Sequence, residues 1–199
     1  MITKQRMAAI AAILLLLSGA VLGGHGLFIR AKAVVAQVLL ERAWVQTVET
    51  RRPVKAWVWA DTWPVAKISF PKLDRSAIVL EQGGGEALAF GPAHVAATPL
   101  PGENGTSVIA GHRDTHFDFI KDLKVGDEIV VTTRARKTAR FRMTGSAIVH
   151  AQASGIDPVG ATPRLALVTC YPFDAVAQAP LRYVVFADEV PAATAVASR

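Results

Sequence analysis

Three rhythms of apolar and polar residues follow one another along the chain, and each predicts a different kind of element. Residues 7–29 contain no Asp, Glu, Lys or Arg and are preceded by Lys4 and Arg6. About 20 apolar residues are enough to cross a bilayer as a helix, so this run predicts a membrane-spanning helix. Over residues 33–47 the apolar side chains Val34, Val35, Val38, Leu39, Ala43 and Val45 recur at near-helical spacing, with Gln37, Glu41 and Arg42 elsewhere around the turn. That spacing predicts a juxtamembrane helix. Thr50-Arg51-Arg52-Pro53 ends it, because proline disfavours a helical residue before it, and residues 50–64 read as an extended linker. Trp57, Trp59 and Trp63 in that linker are expected to pack over the domain that follows.

Beyond residue 64 the rhythm shortens to β-rich runs punctuated by turn residues: 65–70, 77–80, 107–110, 128–133, 139–144, 147–151, 165–169 and 181–186. Such spacing predicts a mainly β domain, a mostly antiparallel barrel or sandwich. Residues 85–90 and 117–123 break the rhythm and read as single helical turns between strands. The Ala-rich residues after Pro191 read as a frayed tail. The predicted layout is therefore a membrane anchor over 1–30, a juxtamembrane helix and linker over 31–64, one β domain over 65–190 and a flexible tail over 191–199.

Composition adds to this layout without changing it. The apolar run exceeds the roughly 7–15 residues of a signal-peptide core, and the small-x-small sequence Ala31-Lys32-Ala33 lies beyond the charged Arg30, so the anchor is expected to be retained. Arg30 and Lys32 nearly balance Lys4 and Arg6, yet a short N-terminal tail ahead of a large domain predicts residues 30–199 outside the cytoplasm. The net charge of +6 suits an anionic partner but selects none. The densest basic stretch, Arg134, Arg136, Lys137, Arg140 and Arg142, alternates with apolar residues as a solvated hairpin face does. No nucleic-acid motif or set of stacking aromatics accompanies it, and no nucleic-acid partner is expected.

The chain contains a single cysteine, which excludes an internal disulfide and a cysteine-rich metal cage. In Leu167-Val168-Thr169-Cys170-Tyr171-Pro172 an apolar strand stops at that cysteine, and the proline prevents simple continuation of the ladder. Cys170 is thereby placed at a strand end, ahead of a loop, where scaffolds tend to carry function. Val108-Ile109-Ala110-Gly111-His112 is a second strand-to-loop junction, with glycine allowing a sharp departure just before a histidine. A cysteine nucleophile needs a partner that generates or stabilises its thiolate, and histidine is the usual one. Arg182 opens the last apolar strand, and an antiparallel hairpin from Cys170 would return its guanidinium beside the thiol. There it can bind a peptide carbonyl or the oxyanion formed on attack. Taken singly, a cysteine is most often a small buried hydrophobe and a histidine or arginine a solvated surface group. Only their joint placement points to acyl transfer. Thr169, Tyr171 and Asp114 flank the trio as candidate substrate contacts. His112 and His116 share the spacing of a helical zinc motif, but Arg113 stands where its glutamate belongs, so no metal is expected.

These joined segments resemble the sortase family, whose cysteine motif Thr-Leu-x-Thr-Cys ends a strand, whose histidine follows an earlier strand and whose arginine lies on the last strand of an eight-stranded β-barrel. Leu167-Val168-Thr169-Cys170, Ala110-Gly111-His112-Arg113 and Leu181-Arg182-Tyr183 carry the likeness, which covers residues 33–190. Ala166 replaces the first threonine of the cysteine motif, which removes no catalytic group. Finer similarity is to the proteobacterial sortases of class GN, through Trp59-Ala60-Asp61-Thr62-Trp63-Pro64-Val65-Ala66, His112-Arg113-Asp114-Thr115-His116-Phe117 and Thr169-Cys170-Tyr171-Pro172-Phe173. The resemblance implies an inner-membrane anchor, a periplasmic catalytic domain and dedicated substrate proteins bearing a C-terminal signal similar to Leu-Pro-x-Thr-Gly. It implies Cys170 as nucleophile, His112 as proton carrier, Arg182 as oxyanion ligand, an amine acceptor and no cofactor.

Rival readings differ in testable ways. A papain-like peptidase would hydrolyse its thioester, but there the cysteine precedes the histidine and begins a helix, whereas here His112 comes first and Cys170 follows a strand. The L,D-transpeptidases use a segment like Ser-x-Gly-Cys-x-Arg, which this chain lacks. A membrane-tethered binding module that keeps the barrel without turnover is the rival from another class.

Overall fold

A computed structural model describes residues 4–81, 87–175 and 180–190. The chain forms two compact units, Met1–Val38 and Leu39–Arg199. Helix α1 (Lys4–Thr50) runs unbroken where the sequence predicts two helices. The join at Arg30-Ala31-Lys32-Ala33 consists of strong helix formers without glycine or proline, so nothing in it ends a helix. Among the described residues this is the helix long and apolar enough to cross a membrane, with a mean hydropathy of 2.3 in its best window. It stops at Thr50, where Arg51 takes a left-handed φ of 57° and Pro53 follows.

In the second unit the end of α1 is part of the globular domain. Leu40 and Trp44, four residues apart on one helical face, are buried with Ile78, Leu80, Ala87 and Ala93. Lys67 Nζ meets Glu41 Oε1 at 3.0 Å beside them. The tryptophans divide: Trp57 packs edge-on to Phe90 at 4.8 Å, Trp63 packs against the barrel core, and Trp59 stands 83% exposed.

Eight strands close into a barrel: β1 (Pro64–Phe70), β2 (Arg75–Glu81), β3 (Ala93–His94), β4 (Gly105–Ala110), β5 (Glu128–Thr133), β6 (Thr138–His150), β7 (Pro163–Tyr171) and β8 (Leu181–Glu189). Their order is β1-β2-β3-β4-β7-β8-β6-β5, with β5 returning to β1. The pairs β2/β3 and β4/β7 are parallel and the rest antiparallel. The expected short turns appear as α2 (Ala87–Phe90) and a 3-10 turn over Ile120–Asp122. Gly85 and Glu86 of the first, and the tail after Val190, lie outside the described residues.

Two differences in the strands have simple causes. The runs 139–144 and 147–151 are one strand, because the register shift between Met143 and Gly145 absorbs the residues that read as a break. Strand β3 has two residues, too few to show a period.

Alternation divides β4, β7 and β8 into two faces. Ile109, Leu165, Leu167, Val185 and Ala187 point into the barrel with Ile68, Ile129 and Phe141. Val108, Ala166 and Val184 lie on the outer face, where Val95, Val149, Ile156, Val168 and Phe186 pack against them. The outer face is therefore also apolar, although among the described residues no second sheet covers it.

Behind the barrel wall, Asp127 closes the turn before β5. Its carboxylate accepts from Lys72 Nζ at 2.7 Å and from the Lys124 backbone N–H at 3.0 Å. The Lys72 hydrogen bond holds the Asp127 pKa below the usual carboxylate range, against the opposing effect of burial.

Candidate active site

Two adjacent strand ends and one hairpin register assemble the site. Strands β4 and β7 pair in parallel register from Gly105↔Pro163 to Ala110↔Val168. Two further bonds carry the pairing past the end of β4: Gly111 N–H donates to Val168 O at 3.0 Å, and Thr169 Oγ1 donates to Gly111 O at 2.7 Å. His112 thus leaves β4 at the level of Cys170, one residue before the end of β7 at Tyr171. Strands β7 and β8 are antiparallel, and Cys170 and Arg182 are direct cross-strand partners. Cys170 shares the outer face with Ala166 and Val168, and Arg182 shares it with Val184 and Phe186.

Exposure differs across this group. Cys170 and Arg182 are half-buried, while His112 and Asp114 are exposed. Arg182 Nη1 donates to Leu181 O at 2.9 Å. Thr169 is 2% exposed, on the inner face, with its hydroxyl committed to Gly111. It braces the two strand ends, at a position where the sequence predicts a substrate contact. Tyr171 is half-buried on the same side of the hairpin as Tyr183, the two rings bracketing Phe173 at 6.3 and 5.3 Å. That is the face opposite Cys170. The Tyr171–Pro172 peptide is cis.

The histidine segment is held from below. A Cβ on Gly111 would stand 2.7 Å from the Phe117 ring, so glycine is needed there for space, while Phe117 is fully buried and its N–H donates to His112 O at 2.9 Å. His116, half-buried beside it, has its pKa lowered chiefly by burial and also by His112. A hydrogen bond to the Ala89 backbone, together with Asp118 and Asp114, opposes this.

Arg113 has a role that sequence reasoning missed. Its Nη1 donates to Pro172 O at 2.9 Å, and its Nη2 donates to Ala175 O. Partners that are backbone carbonyls leave no mark in the sequence.

The barrel thus pairs a cysteine with an arginine at one end of a hairpin, with a histidine two residues beyond the end of the neighbouring strand and apolar residues on the same outer face. Known proteins share this fold. Residues 68–190 match the family described as Sortase domain, and the chain belongs to the sortase family. It is 29% identical over 130 residues to Sortase D of Bacillus subtilis, covering 62% of each chain, so it spans about three fifths of that relative's length. The fold resembles sortase A from Corynebacterium diphtheriae, with a TM-score of 0.61 and 25% identity over 69% of this chain and 65% of that one. It also resembles a Clostridium perfringens sortase D5 transpeptidase, with a TM-score of 0.63 and 22% identity over 79% and 99% of the two chains.

Proposed function

We propose that this chain is a membrane-anchored transpeptidase that cleaves a C-terminal signal similar to Leu-Pro-x-Thr-Gly and passes the acyl group to an amine. The observation that carries the reading is the direct pairing of Cys170 with Arg182, with His112 leaving the next strand at the same level. The partly exposed apolar side chains Val95, Ile156 and Val168, packed over the buried Val108, Ala166 and Val184 on the face that carries Cys170, support a surface for an extended apolar signal. In this reading the Cys170 thiolate attacks the threonine carbonyl carbon, and the resulting oxyanion is held by the Arg182 guanidinium. The C–N bond then breaks, protonated His112 gives its proton to the leaving glycine amine, and a thioester to Cys170 remains. The acceptor amine attacks that thioester and returns a proton to His112. Collapse forms the new amide and releases the thiolate. Asp114, exposed two residues from His112, is placed to meet substrate or orient the histidine.

The residues shared with class GN sortases support the finer assignment: a dedicated substrate, an inner-membrane anchor through residues 1–30 and a periplasmic domain over 65–190. The apolar helix agrees with that anchor. The test is to incubate the full chain in detergent with Leu-Pro-x-Thr-Gly-like peptides and an amine, following intact mass. A thioacyl adduct lost in Cys170→Ala and discharged by the amine supports transpeptidation. Discharge by water alone supports a hydrolytic peptidase, and a folded, thiol-reactive chain without adduct supports a binding module.

A further inference from the structure

The segment after Cys170 is a turn that its own backbone closes poorly. The Ala175 N–H reaches Pro172 O at 3.5 Å, the outer limit of a hydrogen bond. Arg113 spans that turn: its Nη1 donates to Pro172 O at 2.9 Å and its Nη2 to Ala175 O, so one guanidinium holds both ends. Phe173, between those ends, packs against Tyr171 and Tyr183, and Lys121 Nζ lies 5.5 Å from its ring centre. Arg113 and Lys121 both belong to the connection from β4 to β5, the same connection that carries His112.

The geometry points to Arg113 as a positioning residue that clasps the turn following Cys170 to the segment bearing His112, and so keeps nucleophile and proton carrier in one rigid unit. This role rests on the transpeptidase reading. Arg113 is covalently next to His112, and its acceptors lie two and five residues beyond Cys170, so the clasp adds a second side-chain link between the two junctions to the Thr169–Gly111 bond that precedes them. Reaction needs the attacking atom and the proton donor placed to within a fraction of an ångström, and a half-buried fork hydrogen-bonded to two carbonyls supplies that restraint. The fork also explains arginine here. A lysine would bring the same charge but a single ammonium, which cannot hold both carbonyls in this planar geometry. Arg113 is accordingly spent on the protein, while Arg182 is the cation that faces Cys170 across the hairpin.

The experiment compares the full chain in detergent with Arg113→Lys and Arg113→Ala, by hydrogen exchange and by acylation kinetics with a reactive peptide. Exchange is expected to rise over residues 171–175 in both variants while the barrel strands keep their protection. The kcat for thioacyl formation is expected to fall about 10-fold to 100-fold, with KM little changed. Millimolar guanidinium should restore part of the Arg113→Ala rate and none of the His112→Ala rate. Unchanged exchange over 171–175, unchanged kcat, or loss carried by KM alone would overturn the role. Loss of protection throughout the barrel in both variants would also overturn it, in favour of a purely structural arginine. Should wild type form no adduct, the transpeptidase reading and the positioning role in catalysis fail together, and the exchange comparison alone decides whether Arg113 holds the turn.

Discussion

The β7–β8 hairpin carries two arginines on its outer face, each directly across from a residue of the other strand, and they have opposite fates. At one end Arg164 Nε meets Asp188 Oδ1 at 2.9 Å, with both side chains about half exposed. At the other end Arg182 is the cross-strand partner of Cys170, both half-buried, beside the departing β4 chain. Cross-strand geometry is the same in the two places. What differs is the partner's chemistry and the presence of a neighbouring strand end. Pairing with a carboxylate in water yields a weak surface contact, whereas pairing with Cys170 yields, in the proposed transpeptidase mechanism, a place to hold a developing charge.

Removing Arg182 should separate the two ends most strongly. Arg182→Ala is expected to lower kcat/KM for thioacyl formation about 100-fold to 1,000-fold, with the melting temperature nearly unchanged. Steady-state kinetics beside a thermal melt checks this. A smaller effect, on both stability and rate, is expected from Gly111→Ala, since the new methyl would stand 2.7 Å from the buried Phe117 ring. Overpacking of this kind costs about 1–3 kcal/mol in denaturant unfolding, and the shifted His112 should slow acylation as well.

Acid should loosen the fold in two separate windows. His116 is held below the ordinary 6.5 chiefly by burial, so its stabilising contribution is complete above about pH 6.5 and declines as pH falls from there through its folded value. Asp127 is held below 3.8 chiefly by Lys72, so its contribution is complete above that pH and is lost only as pH falls further. Melts across pH should show His116→Gln flattening the first slope and Asp127→Asn the second. Asp127→Asn is also expected to cost about 1 kcal/mol at neutral pH, by weakening the bonds from Lys72 and Lys124. The smallest effect belongs to the far end of the hairpin. Asp188→Ala should cost at most about 0.5 kcal/mol and leave thioacyl formation unchanged, which would confirm that the two arginines do different work.

Legibility in the sequence followed how local the determinant was. Strand β5 was readable in full, because an alternating run bounded by turns contains its own evidence. The Cys170 to Arg182 register followed from hairpin logic, which needs only neighbouring residues. Parallel pairing of β4 with β7 could not be read, since local pattern carries no record of a distant partner. Position β3 was too short, and the continuity of α1 depended on the absence of a breaker between two patterns that looked distinct. The bracing bond from Thr169 to Gly111 could not be read, because it exists only once β4 lies alongside β7. The Arg113 clasp escaped for a related reason: its acceptors are main-chain oxygens.

The most direct test of the central claim is the intact mass of the full chain after incubation with Leu-Pro-x-Thr-Gly-like peptides, with and without an amine. The account predicts a thioacyl adduct on Cys170 in wild type, absent in Cys170→Ala, accumulating in the absence of amine and discharged to a new amide when amine is added. A folded chain whose Cys170 reacts with a thiol reagent but forms no adduct with any peptide would contradict it.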